Sequence, residues 1–169
     1  MVDQTKTAYC IWCREKPEEE IAEKLRDGYG YEVLIPQKQR FYFMRGAKSI
    51  ITALLTPGYL FFYTDAPIDE KRLDYLKKYD HILEYTDGAS ALVGSDYDYA
   101  MWIYKHRGMI GISQGIYDQG ARKAHFVDGP VTELGEVAKV DRHRQCAYVK
   151  MPFMNGTQEL CLAFDWAAA

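Results

Sequence analysis

The chain has 169 residues, 48% of them hydrophobic, enough to bury one sizeable core or two small ones. Its 21 Lys+Arg stand against 24 Asp+Glu for a net charge of −3, which excludes a protein held on nucleic acid by an overall basic field. Residues 1–8 lack the apolar core of a secretion signal, and no apolar run elsewhere nears the roughly 20 residues that span a bilayer, so a cytoplasmic location is expected.

The first segment, Thr7 to Cys13, reads as a strand. It contains Cys10 and Cys13, a C-x-x-C pair that invites zinc or redox chemistry. Residues three apart on a strand point to opposite faces, so the two sulfurs do not share a metal and a buried strand is the expectation. With Cys146 and Cys161 they make no disulfide framework or zinc spacing, and four reduced thiols with no metal and no cofactor are expected.

Pro17 followed by Glu18, Glu19 and Glu20 predicts a helix start, because proline suits a first turn and acids favour the helix N-terminus. Ile21, Ala22 and Leu25 supply its apolar stripe, and Gly28 and Gly30 end it. Tyr31–Ile35 reads as a strand stopped by Pro36, and Phe41–Phe43 with Arg45–Lys48 as a hairpin into Ile50 and Ile51. After Pro57-Gly58, the run Tyr59–Tyr63 is almost continuously apolar, the mark of a strand covered on both faces. Helices over Asp69–Tyr79 and Asp96–Lys105 complete a mixed α+β domain, with Asp96 as an N-cap or first-turn acid rather than a metal ligand.

Gly108, Gly111, Gly115 and Gly120 punctuate a stretch with little periodicity, which reads as a connection between domains. The expected division is 1–109 for the first domain, 110–119 for the linker and 120–166 for the second. That second domain is strand-like throughout, over 124–127, 135–141, 146–151 and 157–164, and such short strands between turns suggest a small closed barrel. Residues 119–166 hold six basic and six acidic side chains, so the tail is neutral and any nucleic-acid contact must be local.

The candidates for such a contact are Arg142, His143 and Arg144 on one turn, Lys139 and Lys150 beside it in sequence, and Arg122 and Lys123 entering the barrel. A cluster of this kind serves either as an RNA-phosphate contact or as a solvated hairpin tip. His81, His106, His125 and His143 are dispersed, and no P-loop or dinucleotide fingerprint is present, so no enzyme is expected. A thiol hydrolase built on Cys10 or Cys13 is the catalytic alternative.

The tail, with Val127-x-Asp-Gly-Pro-Val131, Leu134-Gly135-Glu136-Val137, Val140-Asp141, Ala147-Tyr148-Val149 and Asn155-Gly156, resembles the KOW element of the NusG family of transcription factors. Gly129 and Gly135 would sit there where a tight turn and a close backbone approach exclude a side chain. The first half, with strand, helix, Val33-Leu34-Ile35-Pro36, hairpin and Pro57-Gly58-Tyr59-Leu60-Phe61 in order, is similar to the amino-terminal domain of the same family. The resemblance implies an α+β protein: an α/β sandwich-like NusG amino-terminal (NGN) domain followed by an SH3-like KOW β-barrel.

It also implies a monomeric transcription elongation or antitermination factor whose first domain binds the clamp helices of the largest (β′) subunit of RNA polymerase. Tyr59 matches the pocket tyrosine of the Pro57-Gly58 motif and Tyr9 the tyrosine of the first strand. The family often has tryptophan at Ala8 and an aromatic residue at Thr56, so Trp12, Phe41 and Leu55 are expected to refill the pocket. The linker resembles the specialised LoaP and UpxY types, whose KOW domain is thought to read a nascent RNA hairpin. Housekeeping members use it for Rho or a ribosomal protein, and RfaH relatives refold it as a helical hairpin, against which the β-branched and glycine-rich tail argues here. A ribosome-associated KOW protein would need a basic surface, and the net charge opposes it.

Overall fold

The computed structural model describes residues 6–14 and 16–167, so most of the segment read as free of a leader, residues 1–5, lies outside the described residues. Two compact units emerge. One takes the chain up to Pro36, Thr56–Gly108 and Phe153–Asn155; the other takes Gln37–Leu55, Met109–Pro152 and the residues from Gly156 onward.

The first unit is built on β1 (Thr7–Trp12), β2 (Glu32–Leu34) and β5 (Tyr59–Thr64), which lie in the order β1-β5-β2. Both neighbours run antiparallel to β5, with Cys10 opposite Phe61 and Val33 opposite Phe62. Helix α1 (Glu18–Tyr29) begins after Pro17 with three acids in its first turn. It ends at Gly30, whose φ of 71° is the left-handed conformation that glycine adopts without cost. Helix α2 (Glu70–Tyr79) is capped by the Asp69 carboxylate, which accepts from the Arg72 N–H.

Tyr9, Ile11, Leu60 and Phe62 pack with Ile21, Ala22 and Leu25 of α1 and Leu76 of α2 in a single core. Each large apolar side chain so buried contributes about 1.5–3 kcal/mol. The alternate residues of β5 pack with helix α3 (Gly94–Lys105): the Tyr63 hydroxyl donates to the Ala100 carbonyl, and the Phe61 ring meets the Tyr99 edge. Both faces of β5 are therefore covered, which accounts for its apolar run. Cys10 is fully buried on β1 and Cys13 is buried just after it, with burial pushing the Cys13 thiol up to about 11.

The second unit contains the hairpin β3 (Gln37–Met44) and β4 (Ala47–Leu54), joined by Arg45 and Gly46, both at positive φ. Two residues of that conformation make the tight turn whose twist suits antiparallel strands. On its other side β3 pairs in parallel with β6 (Met109–Ile110). Lys38 donates to the Cys161 carbonyl, and Lys48 pairs with Asp165 at 3.1 Å. The hairpin thus groups with the carboxy-terminal strands and not with the residues up to Pro36 or with Thr56–Gly108, a partition that sequence order does not show.

Those strands are β7 (Ser113–Asp118), β8 (Lys123–Asp128), β9 (Val137–Asp141), β10 (Cys146–Phe153) and β11 (Gly156–Trp166), in one sheet of order β8-β7-β11-β10-β9. Three expectations are corrected here. Residues 113–118, read as linker, are a strand between β8 and β11. Of the four glycines that suggested a linker, Gly115 is there for space, because a Cβ would lie 3.3–3.4 Å from the rings of Phe164 and Phe126. Gly135 meets nothing within 4 Å and has no positive φ, so only Gly129 shows the predicted close approach. Asp96 is the first-turn acid of α3, as expected, but not its N-cap, a position Val93 holds: its carboxylate accepts the Tyr85 hydroxyl at 2.6 Å and the Met154 N–H at 3.1 Å.

Candidate functional site

Two surfaces, one in each unit, gather the residues that sequence reasoning singled out. On the first unit, Pro57 and Gly58 turn the chain into β5. Gly58 has φ +91°, and its N–H donates to Glu18 Oε1 at 2.8 Å while its carbonyl accepts from Cys13 N–H at 2.6 Å. A helix-start acid and a strand end thus fix one turn. The φ of +91° is what calls for glycine at this position, and a Cβ there would make only an ordinary contact with the Trp12 indole at 3.5 Å, so the turn lies directly against that ring.

Trp12 closes β1 opposite Tyr59, and the two rings stack at 6.3 Å with 12° between planes. The Arg14 guanidinium lies 4.3 Å from the Trp12 ring centroid. Trp12 remains 38% exposed, and Pro57 is exposed beside it. A planar aromatic pair held on a rigid turn and edged by a cation suits protein recognition, because its area is presented at little entropic cost.

The other residues assigned to this pocket lie elsewhere. Tyr9 is 1% exposed; its ring stacks on Phe62 at 4.9 Å, and its hydroxyl accepts the Ile68 N–H. That is core packing, and it follows from the alternation that puts Tyr9 on the helix-covered face of β1. Phe41 and Leu55 are both buried and belong to the second unit, with the Lys48 ammonium 4.4 Å from the Phe41 ring. Sequence reasoning missed Arg14 and Glu18. A two-residue spacing from Trp12 was the available signal for Arg14, and nothing local marks Glu18 as a partner of Gly58.

On the second unit, a cleft of about 790 Å³ runs between β8 and β9, the two ends of the sheet order. Its lining brings Arg122, Lys123, Lys139 and Arg142 together with Tyr117 and His125, against a single acid, Glu136. Arg142 stacks over Tyr117 at 4.5 Å, and Trp166 meets that ring edge-on at 6.2 Å. His143 and Arg144 lie beyond the cleft, on a turn whose N–H groups both reach the Asp141 carboxylate. They line a second cleft of about 580 Å³ with Arg40, Phe41 and Tyr148. Lys150 sits apart from both, 4.0 Å from Glu159. The seven basic candidates therefore divide into a groove of four, a turn of two and one outlier, with His143 of the turn joining Arg142, Tyr117 and Trp166 around a smaller cleft of about 490 Å³.

No group of three or more His, Cys, Asp or Glu able to hold a metal occurs among the described residues. No helix among them is long and apolar enough to cross a membrane. Comparison with protein families gives a match over residues 6–103, more than half the chain, to the family described as transcription termination factor NusG. No curated protein matches the sequence.

Proposed function

The chain belongs to the NusG family of transcription factors, and from that premise we propose an operon-selective processivity factor of the LoaP/UpxY type. As a family member it is an elongation or antitermination factor that works on RNA polymerase and is not an enzyme. In the finer reading, the amino-terminal NGN domain binds the clamp helices of the largest polymerase subunit. The five-stranded sheet is the SH3-like KOW barrel, which contacts nascent RNA or a partner protein, and the protein acts as a monomer.

The observation that carries this reading is the exposed Trp12–Tyr59 stack on the Pro57-Gly58 turn. It lies within the residues matched by the family and is the one place where several of the expected pocket residues meet at a surface. The proposed contact set is Trp12, Pro57, Gly58 and Tyr59, with Arg14 added, while Tyr9, Phe41 and Leu55 support the fold from inside.

A pulldown with the host polymerase tests it. Removing a central interface aromatic costs about 2 kcal/mol, so Tyr59→Ala should weaken binding roughly 30-fold while the circular dichroism spectrum is retained. Unchanged binding removes Tyr59 and the stack from the interface. The general housekeeping role, coupling polymerase to Rho or to a ribosomal protein, differs in its template dependence and is distinguished by transcription on several templates.

A further inference from the structure

We propose that the cleft between β8 and β9 binds a single-stranded polynucleotide in extended form. The inference deepens the reading above, since a factor acting on polymerase works beside the emerging transcript and the displaced DNA strand.

Four cations converge there from separate stretches of chain: Arg122 on the turn before β8, Lys123 at the start of that strand, Lys139 on β9 and Arg142 on the turn after it. Only Glu136 opposes them in the lining. The chain as a whole is acidic, so this is a local concentration of positive charge, the arrangement that tracks a phosphodiester backbone. Arg122 holds φ 53° at the end of a turn where Asp118 accepts the Ala121 N–H, so its placement is built by the fold.

The walls add a second feature. Strands β8 and β9 end the sheet, and each has sheet neighbours on one side only. Residues of both strands line the cleft, and the backbone N–H and C=O groups of an edge strand, left without a strand partner, suit phosphates and base edges. Tyr117, sandwiched edge and face by Trp166 and Arg142, supplies an aromatic–guanidinium platform of the kind on which bases stack. A volume near 790 Å³ is of the size that admits a few stacked groups. A duplex keeps its bases paired and stacked inside, where Tyr117 does not reach them, and an acidic peptide brings charge without planar faces.

The experiment uses the full chain and fluorescence anisotropy with a ten-nucleotide RNA, DNA of the same sequence, an RNA hairpin and a glutamate-rich peptide. Single strands should bind best, with a log–log salt slope near −3 for about four phosphate contacts. Lys139→Gln should weaken them several-fold and reduce the slope by roughly 0.7, while Lys71→Gln on α2 should change neither. Preference for RNA identifies the transcript as the source of the ligand, and preference for DNA the displaced strand. Tighter binding of the hairpin or the peptide, a flat salt dependence, or an equal loss in Lys71→Gln overturns the inference. Lys139→Gln should also retain polymerase in the pulldown. Loss of polymerase binding in Tyr59→Ala with polynucleotide binding intact separates the two readings, so either can fail alone.

Discussion

A methyl group at Gly129 would lie 2.5 Å from the Ser113 Cα, and the residue's φ of +99° is one that side chains rarely adopt. Gly135, six positions on, has open space around it. Gly129→Ala should therefore destabilise the protein by about 3 kcal/mol or more, through overlap and backbone strain together, whereas Gly135→Ala should stay within about 0.5 kcal/mol. Urea denaturation of the two variants checks this, and equal losses would contradict it. In sequence the two glycines look alike, since each stands beside a strand. What separates them is the Ser113 backbone, sixteen positions before Gly129, and no local pattern carries that. The same applies to Tyr9 and Tyr59, both aromatic residues on strands of one sheet. Alternation along β1 places Tyr9 inward, and it becomes visible only once α1 and α2 are known to cover that face. The cysteines were legible: the apolar run around Cys10 and Cys13 marked a buried strand, and burial raises both thiols. Iodoacetamide at neutral pH should modify Cys10 and Cys13 much more slowly than an unfolded control, because the thiolate is the nucleophile. Labelling as fast as in the control would contradict their burial.

At the scale of elements, helix starts and turns were the most readable features. Pro17 with its three acids, the Arg45-Gly46 turn and the buried β5 all follow from local chemistry that the fold leaves undisturbed, whereas Asp69, read only as the first residue of a helix, proves to be its cap. Asp69→Ala should cost about 1 kcal/mol, measured by thermal or urea unfolding, because the Arg72 N–H loses its acceptor. The turn after β9 has a pH signature. The Arg144 N–H chiefly, then that of His143, donates to the Asp141 carboxylate and holds it below its ordinary 3.8. A carboxylate lowered in the folded state stabilises above the ordinary carboxylate range, and that contribution is lost as pH falls through the lowered value. An NMR titration of the His143 and Arg144 amides should therefore show a midpoint below 3.8, and a midpoint at or above it would contradict the turn geometry. Strand β7 was not legible, because its glycine and short polar residues look like a connector until Phe126 and Phe164 are seen to need the room.

Across the whole molecule, order along the chain and grouping in space diverge. The hairpin of β3 and β4 lies between the first two strands and β5 in sequence yet groups with the carboxy-terminal sheet, and residues 153–155 group with the first unit. Long-range pairings such as Lys38 with the Cys161 carbonyl decide this, and composition says nothing of them. The basic groove likewise needs the sheet order, since Lys123 and Lys139 sit on its two opposite end strands. The family, in contrast, was readable from the order of short motifs. The central claim is that the Trp12–Tyr59 surface delivers this factor to polymerase at particular operons. It is tested most directly by single-round transcription with the host polymerase, through a terminator downstream of the gene's own operon leader and through an unrelated leader. Wild-type protein should raise readthrough on the first template only, and Tyr59→Ala should abolish the effect. Equal readthrough with Tyr59→Ala, or an equal effect on both templates, would contradict the account.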